Sequence, residues 1–196
     1  MNRKAVINRK TNETDVSISL NIDGTGQRKI NTPVGFLNHM LDLFAKGGLF
    51  DLTVKATGDT YIDEHHTVED IGICLGEAFA KALGDKKGIN RYGFFILPMD
   101  EALATVAIDF AGRYSFRFEC DFQREKVGDL STELVKHFWD AFAQNAKTNL
   151  FIKVEYGEND HHKIEAIFKA IARAIRMACE LDQKASNQIP STKGKL

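Results

Sequence analysis

The chain contains itself. Displaced by 98 residues, Phe36-Leu-Asn-His39-Met-Leu-Asp42-Leu-Phe44-Ala45 falls on Leu134-Val-Lys-His137-Phe-Trp-Asp140-Ala-Phe142-Ala143, with identity at the His, Asp, Phe and Ala. The same displacement lays Asp15–Asp23 on Arg113–Asp121, both alternating with period two, and Leu52–Lys55 on Leu150–Lys153. Beyond Gly58 and Gly157 the displacement becomes 96, and Asp63-Glu-His65-His66-Thr-Val-Glu69 matches Asn159-Asp-His161-His162-Lys-Ile-Glu165. A chain built this way folds as two like halves.

Each half reads as strand, strand, helix, strand, helix. The spans are 3–9, 15–23, 34–46, 50–57 and 65–84, then 101–110, 113–121, 131–146, 149–156 and 161–181. The two long helices carry a 3.6-residue stripe through Val68, Ile71, Leu75, Phe79 and Ala82, answered by Ile164, Ile167, Ile171, Ile175 and Ala178. A single apolar stripe buries against one partner, so the expected class is α/β (α+β): duplicated ββαβα half-domains, mixed sheets, helices on one face of each. The expected division is 1–94 and 95–182, the two packed as one unit, with a polar tail at 183–196.

Charge narrows the function. Lys+Arg 26 against Asp+Glu 27 leaves no basic field for nucleic acid, and no apolar run approaches the roughly 18 residues of a membrane span. Cys74, Cys120 and Cys179 stand singly in apolar segments, as reduced thiols of a cytoplasmic protein do. Small molecules remain as the expected partners.

All six histidines lie inside the repeat. Each half has one lone His (His39, His137) on its middle helix and a pair (His65-His66, His161-His162) opening its long helix, followed by Glu69 or Glu165. An i,i+4 spacing sets His65 with Glu69, and His161 with Glu165, on one helix face, as two ligands of one ion require. His66 and His162 are turned about 100° away and are left for a second ion. Two ions per chain are expected, one held by His65, Glu69, His137 and His162, the other by His39, His66, His161 and Glu165. Imidazole and carboxylate without thiolate suit Mn(II), Fe(II), Co(II) or Zn(II) with open positions.

Together with Gly-Phe-Leu-Asn-His39, Gly88-Ile-Asn-Arg91-Tyr-Gly, Pro98-Met-Asp100-Glu101 and Ile189-Pro-Ser-Thr-Lys193-Gly, the doubled His-His-x-x-Glu motif resembles the imidazoleglycerol-phosphate dehydratase family of histidine biosynthesis, from Arg9 to Lys195. The resemblance implies a duplicated fold like the second domain of ribosomal protein S5, two manganese ions per subunit, and trimers assembled through the metal sites into a 24-mer shell. It implies loss of water from D-erythro-imidazole-glycerol phosphate to give imidazole-acetol phosphate. No carbonyl acidifies the carbon-bound hydrogen there, so two metals on the ring nitrogens would stabilise an imidazolate and a diazafulvene-like intermediate. Glu13 and Glu165 are the expected proton carriers. Arg91, Arg113, Lys169, Ser191, Thr192 and Lys193 match the family's phosphate and substrate contacts. The family has Asp before the lone His where this chain has Asn38, not a ligand position. Two rivals use the same ligands: a dinuclear metallohydrolase, and a non-catalytic shell protein assembled by metal.

Overall fold

The computed structural model describes residues 3–196; the first two residues of the expected first half lie outside them. The first half runs β1 (Lys4–Lys10), β2 (Thr14–Asn21), β3 (Arg28–Asn31), α1 (Gly35–Gly48), β4 (Asp51–Gly58) and α2 (His65–Leu83). The second runs β5 (Tyr92–Met99), β6 (Ala102–Asp109), β7 (Ser115–Glu119), a small hairpin of β8 (Lys126–Val127) and β9 (Leu130–Ser131), then α3 (Glu133–Ala146), β10 (Asn149–Tyr156) and α4 (Asp160–Cys179). The sheets have matching orders, β1-β2-β4-β3 and β5-β6-β10-β7, with β3 and β7 parallel to their neighbours and the other pairs antiparallel. The class is α+β with mixed sheets, as the alternation and helical stripes indicate.

Besides the hairpin, each half's sheet holds one strand more than the sequence pattern shows. β3 is the four residues Arg-Lys-Ile-Asn, too short for alternation to register. β5 is apolar on both faces: Tyr92, Phe94 and Ile96 point outward and Phe95 and Leu97 pack on the core, so it lacks a period of two. β5 also runs through the expected boundary at 94/95, and the second half therefore begins by Tyr92.

The register corrects the repeat as well. Val6 pairs with Ser19 and Ser19 with Thr53, while Phe94 pairs with Ala107 and Ala107 with Phe151. The first three strands of the halves are thus 88 residues apart, and 98 holds only from α1 through β4. Asp15–Asp23 corresponds to Leu103–Ala111 rather than Arg113–Asp121, whose strand β7 is the counterpart of β3. The ten extra residues form the β8–β9 hairpin and its flanks, inserted where the first half has only the short Thr32–Val34 link.

The helices lie between the sheets. α2 packs on β1 and β2 and α4 on β5 and β6, while α1 packs against α4 and α3 against α2, each across the halves. This crossing brings the lone-histidine helix of one half beside the paired-histidine helix of the other. Glycine makes the α2–α3 approach close, since a Cβ at Gly72 would lie 2.6 Å from the Phe138 carbonyl oxygen and one at Gly76 2.5 Å from that of Phe142. Between the helices sit Phe44, Phe79, Phe138, Trp139, Phe142 and Phe168, all fully buried. Each such side chain stabilises the fold by about 1.5–3 kcal/mol. No helix among the described residues is long and apolar enough to cross a membrane.

Candidate active site

At the N-terminal ends of α2 and α4 the paired histidines begin their helices. Asp63 accepts the His65 amide and Asn159 the His161 amide, both at 2.9 Å, so a short polar side chain two residues ahead fixes each backbone start. The first histidine of each pair faces the other half. His161 and His39 have ring centroids 6.1 Å apart, and His65 and His137 5.3 Å apart. Glu165 joins the first group, its Oε2 lying 3.3 Å from His161 Nε2 and 3.8 Å from His39 Nε2. Two imidazole nitrogens and one carboxylate oxygen, all within 4.8 Å of one another, form a donor set that suits a divalent transition metal. Burial opposes the charge of Glu165, but Lys169, 2.5 Å from its other oxygen, and the nearby imidazoles hold its pKa below the usual carboxylate range. Lys169 thus belongs to this group, as its i,i+4 position implies. Glu69, half-buried one turn past His65, completes no equivalent three-donor group within the single chain, among the described residues.

The second histidine of each pair turns away and meets a carboxylate of its own half. His66 Nδ1 lies 3.0 Å from Asp59 Oδ2 and 3.9 Å from Glu13 Oε2. His162 Nδ1 lies 2.6 Å from Glu101 Oε2, and its Nε2 lies 3.4 Å from Asp100 Oδ2. An ionised carboxylate only accepts, so Nδ1 donates and Nε2 is left as the ligand nitrogen. Hydrogen bonds from the Asn159 amide and from His162 push the Glu101 pKa down to about 2, while Asp59 and Glu101 raise the pKa of their histidines. Neither Asp59 nor Glu101 is among the site residues expected from the sequence. The signal for Glu101 was present: with the strands 88 residues apart, Glu101 is the counterpart of Glu13, each at the turn joining the first two strands of its half.

The remaining expected residues gather elsewhere. Arg91, Arg113, Ser191, Thr192 and Lys193 line a surface cavity of about 380 Å³ with Tyr92 and Lys195. Arg91 is fixed there by paired bonds to Asp109 (2.6 and 3.0 Å) and by donation to the Pro190 carbonyl (2.9 Å). The tail at 183–196 is irregular but held: Gly88 donates to the Gln188 carbonyl, and its φ of +71° with Ser186 O 2.6 Å from a Cβ position demands glycine. Asn38, beside His39, exchanges two 3.0 Å hydrogen bonds with the Thr32 backbone and so pins the entry to α1.

The duplicated α+β fold thus sets imidazole and carboxylate donors at paired helix starts, a set that could hold a divalent metal, and keeps a guanidinium-lined cavity apart from them, the layout of an enzyme site. The sequence model of imidazoleglycerol-phosphate dehydratase matches residues 32–175, and the chain belongs to that family of hydro-lyases in histidine biosynthesis. It is 54% identical to the imidazoleglycerol-phosphate dehydratase of Rhodopirellula baltica over 194 residues, covering 99% of this chain and 96% of that one. It is also 54% identical to that of Methylorubrum populi, covering 99% and 100%. The crystal structure of the Staphylococcus aureus enzyme superposes with a TM-score of 0.83 at 40% identity, covering 91% of this chain and 99% of that one. The Pyrococcus furiosus enzyme, solved in complex with (S)-C348, superposes with a TM-score of 0.82 at 33% identity, covering 97% and 100%.

Proposed function

We propose that this chain dehydrates D-erythro-imidazole-glycerol phosphate to imidazole-acetol phosphate with two Mn(II)-type ions per subunit. The observation that carries the reading is the His39–His161–Glu165 donor group, echoed across the pseudo-symmetry by His65 and His137. His39, His161 and Glu165 hold one ion, and His65, His137 and Glu69 the other. His66 and His162, turned away from both groups, would hold ions shared with neighbouring subunits through Nε2. When bound, the ions would supply electron withdrawal from the substrate ring, which would acidify the adjacent carbon-bound hydrogen.

The protein's own groups then divide the remaining tasks. Glu101 is locked by backbone and histidine hydrogen bonds and is a poor base at about 2, so it orients. Glu165 is held ionised by Lys169 and serves as a ligand. Glu13, 57% exposed on the side chain and near His66, takes the proton from carbon and returns it as hydroxide leaves. Arg91, Arg113, Ser191, Thr192 and Lys193 bind the phosphate through charge-assisted bonds. The histidines left outside the two groups and the apolar outer face formed by Tyr92, Phe94, Ile96 and Phe151 support a homo-oligomer, read as trimers joined by metal into a 24-mer. Three free cysteines suit a cytoplasmic enzyme.

The experiment is to supply purified manganese-loaded protein with the substrate and follow the ultraviolet absorbance of enolised imidazole-acetol phosphate while counting metal per chain. Product formation with two ions per chain supports the reading. Release of inorganic phosphate instead would identify a hydrolase. Chelation should reduce the assembly to small oligomers in light scattering.

A further inference from the structure

We propose that the β8–β9 hairpin positions the His39–His161–Glu165 donor group, with Asp129 at its tip as the positioning residue; this rests on the metal-binding reading above. The hairpin is the one element of the second half without a counterpart in the first, and three carboxylates tie it to three helix starts.

At the tip, Asp129 accepts the backbone amides of Gly35 (2.6 Å) and Phe36 (2.8 Å), the first residues of α1. α1 has no side-chain cap of its own, because Val34 stands at the capping position. A carboxylate across the first two amides satisfies orphan donors and complements the helix dipole. The Phe36 ring sits 5.0 Å from the His161 ring and 6.4 Å from that of His39, and Gly128 presses on Phe36 closely enough that a Cβ there would lie 3.2 Å from Phe36 Cβ. The hairpin tip therefore sets the aromatic residue that flanks both histidines.

The hairpin's base is gripped by the acids that immediately precede the histidine pairs. Asp160, buried, accepts the amides of Gln123 (2.8 Å) and Arg124 (2.7 Å) and pairs with buried Lys163 (2.9 Å). Glu64, also buried, accepts from the Ser131 amide and hydroxyl (2.7 and 2.6 Å) and from Lys126 (3.3 Å). The acid in Glu-His-His and Asp-His-His is thus an anchor, one residue from the ligand that it steadies. Of the three, Asp129 alone reaches α1, so its loss should loosen His39 against His161 while leaving His65 and His137, on α2 and α3, in place.

The test uses the manganese-loaded protein and the Asp129→Ala variant, dialysed against graded chelator-buffered Mn(II), with metal per chain counted. A parallel hydrogen–deuterium exchange measurement covers residues 35–48. The expected result is a 10- to 100-fold weaker affinity for one of the two ions, the other unchanged, with faster exchange at the start of α1. Asp129→Asn, which keeps one acceptor oxygen, should recover part of both effects, and it replaces the alanine variant if that fails to assemble. Two unchanged affinities, or equal weakening of both, would overturn the proposal. If the unaltered protein bound no manganese, the metal reading itself would fail, and unchanged α1 exchange in the variant would overturn the clamp separately.

Discussion

In the first sheet the outward row across the strands is Val6, Ser19, Thr53 and Lys29; in the second the same row is Phe94, Ala107, Phe151 and Arg117. Phe94 is 62% exposed and Phe151 45%, beside Tyr92 and Ile96, whereas Val6 is the single large apolar residue in the matching row of the first sheet. On the inner side the halves agree, with histidines at equivalent helix positions and C-caps Leu49 and Lys147 in the same left-handed conformation. The comparison separates two demands. A site built from two copies of one motif needs the copies alike where they face each other, and a sheet's outer face is free to serve solvent in one half and contact in the other.

The largest test of inner equivalence replaces Glu165 by Gln and, separately, Glu69 by Gln. Each should lower turnover by about 100-fold or more in the ultraviolet assay, because in the proposed reading each carboxylate holds an ion and the amide carries no charge to do so. Full turnover in the Glu69→Gln protein would show that the halves share a shape but divide the chemistry. Outer asymmetry is tested next by Phe94→Glu against Val6→Glu. The first should shrink the assembly in light scattering and the second should not; equal behaviour would remove the contact role from the second sheet.

A smaller effect separates the two helix crossings. Gly72→Ala drives a methyl against the Phe138 carbonyl, whereas the same change at Gly47 places one 3.3 Å from the Ala172 methyl. Thermal denaturation should show a loss of about 1–3 kcal/mol for Gly72→Ala and less for Gly47→Ala. The mildest effect is on acid stability. Burial opposes the charges of Glu64 and Asp160, but their hydrogen bonds outweigh it and lower both pKa values. Their contribution is full above the ordinary carboxylate range and is lost as pH falls below about 4. Denaturant midpoints should therefore fall between about pH 5 and pH 3, less steeply in Glu64→Gln; an identical slope would discount that anchor.

The four helices were legible because long amphipathic stripes are local signals; of the expected histidine groups the chain brings His39 to His161 and Glu165, and His65 to His137, while His66 and His162 turn instead to Asp59 and Glu101. β3 was hidden by its length, and β5 by having apolar residues on both faces. Those two omissions had one consequence, a displacement of 98 applied to strands that are 88 apart, which concealed the match between Glu13 and Glu101. Glu64 and Asp160 carry no signal in the sequence because their partners, Ser131 and Gln123, come from the inserted hairpin. Their roles exist only once the hairpin has docked.

Trp139 is the chain's single tryptophan, and its indole N–H is buried without a hydrogen-bond partner among Phe44, Phe138, Phe142 and Phe168, where both halves meet. An indole so shielded from water emits at short wavelength, and emission moves to the red once water arrives. Fluorescence excited selectively at the indole therefore reports one place only, the seam between the duplicated units. Separation of the halves would be visible as a colour change even while each sheet kept its circular dichroism.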